Sequence, residues 1–265
     1  MPRAVVLFFA LTFAITFGLQ LPAVLAHHGL VAGPPERFMA LVGLGALGPT
    51  FAAMIMARAR GGLRALFAPL GRWRVGLIYW VIALFGSGAL LTVGLLVASL
   101  FVRDVGPWWY PPLEAPRIIA MLVFPLGEEI GWRGFALPLL QRRMGGIAAS
   151  LVVGLGWAGW HAMMFVLAGL PWWSVLAFVP FFVAGSLCFT WLWNRTGGSS
   201  FIAVLAHVGT HLDNSHRALP GNAIPAVVHG AGFVLLASAL VAFDRRTFRE
   251  QSTHGDAEPR PVHEP

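Results

Sequence analysis

Long apolar runs succeed one another along this sequence, divided by short connections that carry its arginines, and they restrict the chain to very few folds. A run near 20 residues crosses a bilayer as a helix, because hydrocarbon offers no partner to an exposed backbone N–H or C=O. Eight runs of about that kind lie at 4–26, 38–57, 76–101, 118–140, 147–168, 172–193, 200–214 and 222–243. The expected fold is therefore all-α, a polytopic transmembrane helical bundle of about eight spans around an intramembrane polar cavity. The seventh run, SFIAVLAHVGTHLDN, is short and polar for a span and has to be tilted or buried among its neighbours. The opening MPRAVVLFFALTFAITFGLQLPAVLAHH has the flanks of a secretory leader with a cleavage point after VLA. Its apolar run of about 23 residues is long for a leader and suits a retained first span.

Charge gives an orientation. The chain is 57% hydrophobic and 11% charged, against about a quarter charged in soluble domains. All 18 basic residues are arginine. With the N-terminus cytoplasmic, 13 of them fall on the inner side: Arg3, Arg58, Arg60, Arg64, Arg72, Arg74, Arg142, Arg143, Arg195, Arg245, Arg246, Arg249 and Arg260. Arg37, Arg103, Arg117 and Arg217 fall outside and Arg133 within the membrane, so an even number of spans with both termini cytoplasmic is expected, in the cytoplasmic (inner) membrane of a bacterium. The net charge of +7 is spread between apolar runs and not gathered on one face, which speaks against nucleic acid as a partner. Aromatic-rich outer connections, GPWWYPPLEAP and LPWW, suit the headgroup level. Cys188, the one cysteine, excludes an internal disulfide and is expected to pack. Residues 1–243 form one transmembrane domain, with its motif-bearing core at about 115–215, and 244–265 read as a polar, disordered cytoplasmic tail.

Against this background the segment VFPLGEEIGWRGF, residues 123–135, stands out. Of the 11 acidic residues only Glu128 and Glu129 fall near the middle of a span, with Arg133 just beyond. A charge at that depth costs roughly 2.5–3.5 kcal/mol on insertion scales, so three within a turn and a half require compensation. Glu129 and Arg133 are i,i+4 and can pair on one face. Glu128 points about 100° away around the helix and is not neutralised by that pair, which suits a general base in a water-containing cavity. Pro125 and Gly127 loosen the backbone just before it.

Histidines supply the complement. His161 ends WAGWH in the fifth run, and His207 and His211, i,i+4 on one helical face, form HVGTH in the seventh. Counted from the outer connections, Glu128, His161 and His207 lie about eleven, seven and five residues deep, one shared zone at 1.5 Å per residue. His229 has no acidic companion and reads as structural, as do Trp132, Trp157 and Trp160.

These motifs, in this order, resemble those of the CAAX-protease and bacteriocin-processing (Abi) family of intramembrane proteases, related to the Ras-converting CAAX prenyl endopeptidases. EEIGWRGF is similar to the family's EExxxR, WAGWH to its aromatic residue four before a histidine, and LAHVGTH to its third motif, approached through NRTGGSSFIAV. The resemblance covers roughly 115–215 and implies that Glu128 activates the attacking water, His161 helps to hold it, His207 stabilises the oxyanion, and Glu129 and Arg133 orient and balance the site. His211 stands where the family usually has Asn. Its neutral imidazole can still donate one hydrogen bond. It also completes a set, Glu128, His161, His207 and His211, that could hold zinc, so a divalent metal stays open.

The expected activity is endopeptidase cleavage of a membrane-associated or hydrophobic, CAAX-like polypeptide, with the lipid bilayer as the other partner. Two other classes remain compatible with the residues. One is a non-catalytic membrane peptide-binding or bacteriocin-immunity factor. The other is a proton-coupled transporter, against which the lack of an internal repeat counts.

Overall fold

A computed structural model describes residues 3–59, 62–105, 114–213 and 222–249. Helix α1 (Arg3–His27) shows how a bilayer inverts the usual pattern. Its buried stripe, Val5, Phe8, Thr12, Thr16 and Gln20, is partly polar, while Val6, Leu7 and Leu21 are exposed on the other face. Apolar side chains on the outside are what lipid solvates, and polar ones turn inward to find partners.

After a 3-10 turn, Pro35–Phe38, the chain forms α2 (Met39–Ala46) and α3 (Gly48–Arg58), which meet at a 42° bend. The bend arises at Pro49, which lacks the N–H that a continuous helix would offer to the Gly45 carbonyl four residues back. Thr16 of α1 makes good the loss: its hydroxyl donates to Gly45 O at 2.8 Å. Thr50 then donates to Gly127 O at 2.6 Å and fixes α3 against the next helices.

A short α4 (Leu63–Phe67) and α5 (Leu77–Ala98) precede α6 (Ala115–Gly131), a π-helical turn at Trp132–Ala136, and α7 (Leu137–Trp160). The apolar stretch Ala115–Leu167 is 53 residues long. It doubles back at Gly145, whose φ of 75° and ψ of 169° lie outside the helical region. Proof of the reversal is that Trp157 and Glu128, 29 residues apart, are hydrogen bonded; in one straight helix roughly 43 Å would separate them. The fourth and fifth expected spans are therefore the two arms of a hairpin.

Beyond it come α8 (Ala162–Leu167), α9 (Val175–Arg195), α10 (Ser200–Asp213) and α11 (Ile224–Phe243). Helix α7 packs on α9, α10 on α5, and α11 on both α9 and α5. All regular structure among the described residues is helical. Among the described residues five helices are long and apolar enough to cross a membrane, or six with the bent pair as one crossing; the hairpin enters that tally once, and α10 is a shorter apolar helix. The chain is an integral membrane protein.

The arginine-bearing ends converge. Gln141 donates to Asn194 Oδ1 at 3.1 Å, Asn194 to Thr247 O at 2.8 Å, and Trp191 to Asp244 Oδ2 at 2.8 Å. Arg195 pairs with Asp244 at 3.0 Å, and Arg72 donates to Gly197 O at 2.6 Å. The start of the expected tail is ordered instead. Residues Arg245–Phe248 form a 3-10 turn with Thr247 and Phe248 buried; Phe248 reaches the backbone at Gly146, so the chain stays packed for a few residues beyond α11. Residues 250–265 lie outside the described residues, as do 106–113, which hold most of the outer GPWWYPPLEAP connection.

Candidate active site

Glu128, Glu129 and Arg133 sit where α6 passes into the π-helical turn, and all three side chains are buried. A π turn holds one extra residue and rotates the helix beyond it, and such turns are found frequently at functional sites. Arg133 Nη1 lies 3.0 Å from Glu129 Oε1, the pairing that the i,i+4 spacing predicts. The guanidinium carbon sits 4.9 Å from the ring centre of Trp157 and 4.8 Å from that of Phe189, so two aromatic faces flank the charge where water does not reach.

The same carboxylate oxygen accepts a second bond, from His207 Nδ1 at 2.9 Å. That contact ties α10 to α6 and sets the ring: with Nδ1–H held by Glu129, Nε2 is the nitrogen left for chemistry. His211, one turn on, stacks on His207 with ring centres 5.2 Å apart and planes 12° from parallel.

Glu128 is held from the other arm of the hairpin. Its Oε2 accepts the Trp157 indole N–H at 2.7 Å. Trp157 also offers its backbone carbonyl to His161, whose Nδ1 lies 2.9 Å away. A carbonyl only accepts, so Nδ1 carries a proton. The His161 ring is clasped by Phe182 at 4.5 Å and Trp160 at 4.8 Å between ring centres. Trp157 further meets His207 edge to face at 5.3 Å. Trp160 donates to Thr16 Oγ1 at 2.7 Å, linking this wall to the hydroxyl that caps the α2–α3 break.

A cavity of about 440 Å³ unites these groups. Glu128, His161, His207 and His211 all line it, whereas Glu129 and Arg133 stand behind, reached through His207 and Trp157. The remaining wall is largely apolar, with seven phenylalanines, Phe124, Phe165 and Phe178 among them, and the methionines Met39 and Met164. His229, which reads as structural in the sequence, also lines the cavity and shares a 2.9 Å hydrogen bond with Ser87. Cys188 is buried.

The metal set fits less well. Among the described residues no group of three or more His, Cys, Asp and Glu side chains gathers as a metal site. Glu128 is bound to Trp157, and both His161 and His207 have one ring nitrogen engaged. The four side chains share a wall without forming a ligand cage.

Sequence reasoning reads Trp157 as packing and misses its hydrogen bond to Glu128. A signal was present, since it lies four residues before His161 and shares its helical face.

Comparisons with known proteins agree on one relationship. Residues 112–212 match the family described as "Type II CAAX prenyl endopeptidase Rce1-like". Among curated proteins, CAAX prenyl protease 2 of Methanococcus maripaludis is 25% identical over 144 residues, which are 51% of this chain and 52% of that protein. The chain thus spans about half the length of the curated relative it matches.

Proposed function

Because the chain is a CPBP/Rce1-like family protein, with the match carried by residues 112–212, we propose that it is an intramembrane endopeptidase that cleaves membrane-associated or hydrophobic, CAAX-like polypeptides. The observation that carries this proposal is that Glu128 of α6, His161 at the junction of α7 and α8, and His207 of α10 line one apolar cavity.

In the proposed reaction Glu128 takes a proton from water while the water oxygen attacks the scissile carbonyl carbon. His161, its ring fixed by the Nδ1 contact to Trp157 O, orients that water. The tetrahedral oxyanion needs donors. His207 serves with a proton on Nε2, and the Glu129 carboxylate at its Nδ1 balances the resulting charge. His211, in the position where the family usually has Asn, supplies a ring N–H beside it. Collapse of the intermediate breaks the C–N bond, and Glu128 returns its proton to the leaving amine. Arg133 pairs with Glu129 and holds its carboxylate in place. The phenylalanine-rich wall suits an apolar substrate. The relative's name specifies a prenyl protease, and a lipidated CAAX-like peptide is the substrate form we favour. We place the protein in the cytoplasmic membrane of a bacterium with both termini inside, in accord with the arginine distribution.

The test is cleavage of a hydrophobic peptide library, with and without prenyl groups, by purified protein in detergent. Glu128→Gln is expected to lower the rate by about 10²–10⁴-fold, and His161→Ala to do so comparably. Equal cleavage by wild type and both variants overturns the proposal.

A further inference from the structure

Helix α1 lies outside the segment that matches the family, yet it contributes Gln20 to the cavity wall. Gln20 is 0% exposed. Its Nε2 has only a thioether for company, the Met164 sulfur at 3.7 Å, which is a weak acceptor. Its Oε1 has no hydrogen-bond partner among the described residues. Several other buried polar atoms share that condition, among them those of Thr12, Ser186 and Thr190, but they form no part of the cavity wall. Of the described residues, Gln20 is the one that both lacks a partner for a buried side-chain atom and lines the cavity.

The side chain is also fixed in place. Its stem lies against Gly45, where a Cβ would stand 3.0 Å from Gln20 Cγ. Gly45 in turn has its carbonyl held by Thr16, which receives the Trp160 indole N–H. Trp160 adjoins His161, and Met164 comes one turn later, so the carboxamide stands beside the histidine end of the site.

We propose that Gln20 is a substrate-binding residue that pairs with a backbone amide of the bound peptide. This role rests on the peptidase assignment. A carboxamide presents an acceptor and donors in one plane, the complement of a peptide unit. A peptide entering a wall of phenylalanine and methionine leaves its N–H groups without water, and each must find an acceptor or forfeit its hydrogen bond. Gln20 Oε1 answers one of them, and Nε2 exchanges a sulfur for a carbonyl oxygen.

The experiment uses the intact chain in detergent and a fluorescent farnesylated CAAX peptide. A matched set of depsipeptides replaces one non-scissile N–H at a time by an ester oxygen. Binding and turnover are both measured. In the wild type, one ester position is expected to weaken binding about tenfold. Gln20→Met, unbranched and close to Gln in volume, is expected to raise Kd and KM about tenfold with little change in kcat, and to make that ester replacement harmless. Gln20→Leu, likewise without an acceptor and similar in volume, is expected to do the same and gives the reading if Gln20→Met fails to fold. A wild type with no ester-sensitive position, or a Gln20→Met protein that binds normally or suffers the same ester penalty as wild type, overturns the role of Gln20 and leaves the peptidase assignment standing. A wild-type protein that neither binds nor cleaves the peptides overturns both.

Discussion

Trp157 touches the site through three of its parts. The indole N–H holds Glu128, the ring face covers Arg133, and the backbone carbonyl fixes His161. From sequence it reads as packing, because the glutamate it meets is 29 residues away and the meeting depends on a reversal at Gly145. The Glu129–Arg133 pair, by contrast, is legible from spacing alone, since four residues fix the geometry wherever the helix goes. Trp157→Phe separates the roles: it keeps an aromatic face for Arg133 and the carbonyl for His161 but removes the donor to Glu128. A hydrogen bond to a charged group contributes about 1.5–3 kcal/mol, so kcat should fall about 10–100-fold and the melting temperature in detergent by a few degrees. Peptide hydrolysis at the wild-type rate would show that the indole N–H is not needed to position the carboxylate.

Helix α10 carries two of the cavity histidines, and its placement depends on close approach to α5. A Cβ at Gly209 would overlap the Ala83 carbonyl, so only glycine allows the two backbones to meet. Gly209 lies between His207 and His211, and pushing the helix outward would draw His207 away from Glu129. Gly209→Ala is expected to destabilise by about 1–3 kcal/mol and to reduce activity, as overpacked contacts do. Gly18, with nothing within 4 Å of the place a Cβ would take, is the control: Gly18→Ala should be neutral or slightly stabilising in a thermal melt. The sequence marks α10 as anomalous, short and polar for a span, and the physical reason is now visible. Its buried face meets α5, α6 and α9. The π-helical turn at Trp132–Ala136 left no comparable signal, because extra residues in a helix change no composition or period over so short a stretch.

Across the whole molecule, the helical bundle was legible because lipid allows a chain of this hydropathy few alternatives. The six candidate site residues were legible as polar exceptions within apolar runs. Their division was not: four line the cavity, and Glu129 and Arg133 lie behind it. That arrangement depends on how the hairpin closes on α9 and α10, which no local pattern encodes. Gln20 was hidden for a similar reason, as one polar residue in a first span whose inward face is known only once α2 and α7 pack on it. The proposed reaction requires that the oxygen entering the product come from a water activated at Glu128. Single-turnover hydrolysis in ¹⁸O-labelled water, with mass spectrometry of product and enzyme, reads this out. One ¹⁸O is expected in the newly formed carboxylate of the product with none in the Glu128 side chain, and Glu128→Gln should give no labelled product on the same timescale. Unlabelled product with ¹⁸O later found in the enzyme, or labelled product formed equally fast by Glu128→Gln, would contradict it.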